Sequence, residues 1–186
     1  LGLKGASALP GRPGGEDRML QGHIDYQLNL GYDYINVRSQ NFRFPQKERP
    51  KGADAYGVRA YMTGSHCTIS NREEFDRYAW PVMEEIDYSP LEKAAKRLPD
   101  GMKVISNSSG ILENVMWLLG YEGISFKIFD EPDLVEDMFE AVATRIISYF
   151  DTLASFDAVG ALALGDDMGF RTQTMLSPEL MRKYVF

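Results

Sequence analysis

"ALALGDDMGF", residues Ala161–Phe170, carries a run of small and aliphatic side chains into Gly165 and then sets two carboxylates side by side, Asp166 and Asp167. A short unbroken apolar run of this kind reads as a buried strand of a parallel sheet. An ionised carboxylate is costly to bury without a partner, so the aspartates belong at the mouth of that strand. In parallel α/β folds ligands bind just beyond the carboxyl ends of the strands, which makes the pair the first candidate for chemistry. A structural reading stands beside it, since Asp commonly bonds local backbone amides in a turn. Adjacent side chains diverge, so at most one of the two enters a site while the other supports the loop.

Working outward, helical patterns alternate with apolar strands. Residues 1–16, rich in Gly and Pro, read as loop. From Asp17 the positions Met19, Leu20, Ile24, Gln27 and Leu28 suit a helix that Gly31 stops. "YDYINV" is a strand ending at Arg38, and the polar, proline-rich "SQNFRFPQKERPKGAD" is a long loop. "AYGVRAYM" reads as one arm of a hairpin. "TISNREEFDRYAWP" starts a helix with Ser70 and Glu73 at capping-box spacing and Pro81 at its end. "SPLEKAAKRLPDG" starts another, with Ser89 as cap, Pro90 in the first turn and Pro99 and Gly101 closing it. "MKVISNSSG" is a strand running into a polar turn, and "ILENVMWLLG" a short apolar helix stopped by Gly120. After Pro132, Leu134, Met138, Val142, Ile146 and Phe150 fall at i+4 steps, flanked by Val135, Phe139 and Ile147, a wide stripe against a core. "SPELMRKYVF" opens a last helix at Ser177, Pro178 and Glu179. The alternation predicts an α/β fold of parallel βαβ units. Polar groups then stand past three strand ends: Arg38, Asn107 and the Asp166–Asp167 pair.

The chain has 186 residues, enough for a single domain spanning 1–186 with a sizeable core. With 20 Lys+Arg against 27 Asp+Glu its formal net charge is −7, which repels polyanions and argues against nucleic acid as a partner. The single cysteine, Cys67, permits no intramolecular disulfide and suits a reducing compartment. No apolar run approaches the roughly 20 residues that span a bilayer. The expectation is a cytoplasmic protein without membrane contact. The chain opens without Met, and we expect it to be part of a longer protein.

Other signals point to packing. His66 and Cys67 are adjacent and His23 lies on a helix, whereas a metal site needs three or four convergent ligands. The same two side chains diverge too far for a Cys–His nucleophile. Tyr61, Tyr78, Trp80, Tyr88 and Trp117 suit core or rim positions. "SNSSG", 106–110, lacks phosphate-loop spacing. Arg38, Arg43 and Arg171 carry the planar fork that binds carboxylates in bidentate fashion.

The order of these pieces resembles the uroporphyrinogen decarboxylase superfamily. "GALALGDDMGFRTQTMLSPELMRKYVF" is similar to the family's fifth-strand region, with its apolar strand, Asp-rich turn, variable loop and Ser-Pro helix. "FDRYAWP" resembles its aromatic helix ending in Trp-Pro, and "LGYEGISFKIFDEPDLVEDMFEAVATRI" its Leu-Gly-x-Glu segment and Pro-led helix. "NLGYDYINV" and "ADAYGVRAYM" resemble its early strand and hairpin, so that the resemblance covers most of 17–186. It implies a (β/α)8 TIM barrel, present here as roughly its first five strands, since such barrels need about 250 residues.

What the resemblance implies for function is a carboxy-lyase of tetrapyrrole (porphyrin and heme) biosynthesis, a homodimer that decarboxylates a small-molecule porphyrinogen without metal or organic cofactor. In that chemistry an Asp carboxylate holds the pyrrole N–H groups, arginines bind the substrate's carboxylates and a tyrosine assists. On this chain Asp166 and Asp167 are the catalytic candidates, and Arg38, Asn107 and Arg171 the substrate-binding ones. The chain departs from the pattern: the N-terminal arginine-rich motif is absent, Arg38 rather than Asp follows "YINV", and "SSGILENVMW" replaces the Gly-x-Pro-Trp-Thr segment with its tyrosine. The family's other branch implies an alternative, a methyltransferase passing a methyl group to or from a corrinoid or thiol, with zinc held by residues outside this chain. A non-catalytic tetrapyrrole-binding protein is the third reading.

Overall fold

The computed structural model describes residues 15–47 and 67–186, apart from the side chain of Glu16. "AYGVRAYM", Tyr61, His66 and all but the end of the leading loop lie outside the described residues. The elements run α1 (Gly15–Asn29), β1 (Tyr34–Asn36), α2 (Arg72–Arg77), α3 (Ser89–Ala95), β2 (Lys103–Ser109), α4 (Ile111–Leu119), α5 (Tyr121–Asp130), α6 (Pro132–Ala154), β3 (Val159–Gly165) and α7 (Pro178–Tyr184). The strands form one sheet in the order β1-β2-β3. β1 pairs with β2 in parallel, with Tyr34 opposite Lys103 and Ile35 opposite Val104. Between β2 and β3 the Val104 N–H bonds the Ala158 carbonyl at 2.8 Å and the Gly110 N–H that of Gly165 at 2.5 Å, so the two strands also advance together. The chain is therefore α/β with a small parallel sheet, and the crossover from β2 to β3 is helical, as parallel neighbours require.

The described chain gathers into two compact units. The first takes the described part of Leu1–Gln40, with Asp87–Asn107 and Thr152–Ala163. Its core is Ile24, Ile35, Ala94, Met102 and Val104, with Leu20, Val37, Leu98 and Val159 packed against it. Ile24 brings in α1, whose Met19 and Leu28 instead face solvent. Gly31, at φ +83°, turns the chain out of α1 in a conformation that L side chains rarely adopt.

The second unit takes the described part of Asn41–Ile86, with Ser108–Asp151 and Leu164–Phe186. Its core centres on α4, where Leu112, Val115, Met116 and Leu118 are fully buried, and on the α6 stripe Leu134, Met138, Val142 and Ile146. Ile147, read from sequence as flanking that stripe, is exposed, because a 3.6-residue turn carries it to the outer face. Arg145 lies 4.7 Å over the Trp80 ring and donates to the carbonyls of Pro81 and Ala141. That tie holds the Trp-Pro segment against α6.

Several boundaries differ from the sequence reading. α2 starts one residue later than Ser70 would set it: Asn71 is the cap, its side chain accepting from the Glu74 N–H at 3.0 Å. Glu74, not Glu73, reaches back to the Ser70 N–H and hydroxyl, at 2.6 and 2.5 Å. α2 ends at Arg77, before Pro81. α3 begins at Ser89 itself, whose N–H is bonded by Asp87 at 2.9 Å. α5, which no periodic stripe marked, follows α4 directly through Gly120. The largest correction concerns "GALALG": it is a strand, as expected, but not a buried one. Residues 160–165 are exposed among the described residues, with Leu162 38% and Leu164 45% accessible. β3 lies at the end of the strand order, so one of its sides has no neighbour in the described sheet.

Candidate functional site

Helix α4 begins without a capping side chain, because the residue at its N-cap is Gly110. The first amides of a helix have no partner inside it and must find acceptors elsewhere. Asp166 supplies them from the end of β3. Its Oδ2 accepts from the Leu112 N–H at 3.0 Å and its Oδ1 from the Glu113 N–H at 2.8 Å. The Ile111 amide also bonds this carboxylate. The positive end of the helix dipole adds to the attraction. One residue back, Gly110 donates to Gly165 at 2.5 Å. Asn114, buried, donates to the carbonyls of Ser109 and Gly110 at 3.1 and 2.7 Å and ties off the approach to the helix. A Cβ on Gly110 would overlap the Asp166 carboxyl group.

Burial pushes the Asp166 carboxyl above its ordinary range, and the like charge of Asp167 pushes the same way, against the three amides that pull it down. Asp167 is half-buried beside it. Beyond lies a small antiparallel turn: Gly169 bridges Thr174, the Phe170 N–H bonds Gln173 at 2.7 Å and the Met175 N–H bonds Met168 at 3.0 Å. Tyr121 of α5 donates its hydroxyl proton to the Met175 carbonyl at 3.1 Å and meets Phe170 edge-on. Arg171 is exposed at the tip.

No family model, curated protein or solved structure matches the chain.

The other candidates lie in the first unit. The Val37 N–H bonds the Ile105 carbonyl at 3.2 Å, and the β1–β2 register, carried two residues on from Asn36 opposite Ile105, brings Arg38 level with Asn107. Arg38 is exposed; Asn107, read from sequence as standing past a strand end, is half-buried within β2, because that strand runs on to Ser109. Beside them Ser106 is fully buried, and its hydroxyl has no hydrogen-bond partner among the described residues. Among the described residues no group of three or more His, Cys, Asp or Glu side chains is gathered to hold a metal ion. None of the described helices is long and apolar enough to cross a membrane.

Sequence reasoning missed Gly110 and the α4 amides as parts of this arrangement. The available signal was a helix starting straight after glycine, which needs an acceptor from elsewhere in the chain.

Proposed function

We propose that the chain belongs to a cytoplasmic (β/α)8-barrel enzyme of the uroporphyrinogen decarboxylase type that decarboxylates a porphyrinogen without a cofactor. The observation that carries the reading is the carboxylate pair past the end of a parallel strand, with Asp166 engaged by backbone amides and Asp167 next to it. The order of the sequence motifs supplies the family. In this reading Asp167 is the reacting carboxylate. It accepts the pyrrole N–H groups and stabilises the cation formed when the ring is protonated. The acetate carboxyl group then leaves as CO2, its bonding electrons neutralise the ring cation as an exocyclic methylene, a proton adds to that methylene carbon, and the ring gives up the proton it first took. Arg171 binds a substrate carboxylate through its forked N–H groups. Asp166 acts in support.

One observation favours the second reading, zinc-dependent methyl transfer: Arg38 stands where the decarboxylases are expected to place Asp. Anaerobic incubation of the full-length protein with a reduced porphyrinogen, followed by chromatography of the products, tests the lead. Turnover that falls about 100-fold or more in Asp167→Asn supports it. Folded wild-type protein without turnover, carrying about one tightly held zinc, replaces it with methyl transfer.

A further inference from the structure

We infer that Asp166 is a positioning residue, whose carboxylate clamps the loop bearing Asp167 onto the first turn of α4. Three observations converge on the clamp. Both Asp166 oxygens are engaged by amides of α4, Oδ2 by Leu112 and Oδ1 by Glu113. The space they occupy exists because Gly110 has no Cβ, and Gly110 itself bonds the residue before Asp166. The loop is fixed again two residues on, where Met168 accepts from Met175, whose own carbonyl holds Tyr121 of α5. Asp167 thus sits between two fixed points, one on α4 and one tied to α5. Partial burial of the Asp166 carboxyl, which pushes it above its ordinary range, agrees with a group held against the helix start. A carboxylate meeting several backbone N–H groups is among the stronger neutral-donor arrangements, so the clamp is stiff enough to set a loop.

The role of Gly110 makes the clamp testable without knowledge of the substrate. If glycine is there to make room for Asp166, Gly110→Ala and Asp166→Gly damage the same thing and their effects do not add. Hydrogen exchange of the Ile111, Leu112 and Glu113 amides is the readout. Each single variant is expected to speed exchange by about tenfold or more, and the double variant no further than the worse single one. Asp166→Asn keeps one acceptor oxygen and stays closer to wild type, which covers the case in which Asp166→Gly fails to fold. Added formate slows exchange in Asp166→Gly, by taking the vacated place, and leaves wild type unchanged.

The link to Asp167 rests on the proposed reaction. There the same variants lower kcat with KM little changed, and formate restores part of kcat in Asp166→Gly alone, a recovery that general loss of structure would not give. Additive exchange effects, or unchanged amide protection in Asp166→Gly, overturn the clamp. A clamp that passes the exchange test in a protein without porphyrinogen turnover sinks the proposed reaction and leaves the clamp standing. Full kcat in a variant whose amides have lost protection overturns the positioning role.

Discussion

Gly110 has φ −75° and ψ 178°, angles open to any residue, so its glycine answers a need for space and not for backbone freedom. What fills the space is a carboxyl group that burial pushes above its ordinary range. The sign of its pH effect follows from linkage. A raised carboxyl favours folding when protonated, so its contribution is fully present below the unfolded value near 3.8 and is lost as pH rises through the folded value. Relative to Asp166→Asn, the wild type should therefore lose stability as pH is raised across that window, read as urea midpoints of the two proteins at about pH 3.5 and about pH 7. Glu74 runs the other way. Its bonds to Lys47 and Ser70 hold it down to about 2, so its contribution is present above the unfolded value near 4.5 and disappears as pH falls toward 2. The Lys47 side chain is largely exposed, and screening keeps the contribution at about 1 kcal/mol or less. Glu74→Gln should flatten the acid limb of the stability curve between those two values.

Among the elements, α2 and α4 solve the same problem by different means. Asn71 caps α2 from within its own segment, a device written locally, and the start was misplaced by one residue because Ser70-Asn71 offers two caps in a row and Glu73-Glu74 two acids. Asn71→Ala should cost about 1 kcal/mol in chemical denaturation, with Ser70→Ala costing less. α4 borrows its cap from residue 166, more than fifty positions away, which no local pattern encodes. The α6 stripe was legible because five apolar positions at i+4 spacing leave one face to bury. α5 was not, because with Ile124 its only buried residue it offers no stripe.

For the molecule as a whole, β3 is the element where pattern and burial part. Its composition fits a strand covered on both faces, yet Leu162 and Leu164 are open to solvent among the described residues. In this chain Leu162→Gln should change stability by no more than about 0.5 kcal/mol, while Met138→Ala, in the α6 stripe, should cost about 2–5 kcal/mol, both measured by urea unfolding. The sequence alone determined what short-range chemistry controls: helices where apolar residues recur every three or four positions, strands where they run unbroken, stops at Gly31 and Gly120, and polar residues past the ends of β1 and β3; α3 instead ends at Ala95, before Pro99 and Gly101. It also left Asp166 with two roles, because a carboxylate after a strand reads equally well as a reactant or as a turn. Only the tertiary structure decided which amides that carboxylate meets, since helix start and strand end become neighbours through the sheet and not through the chain.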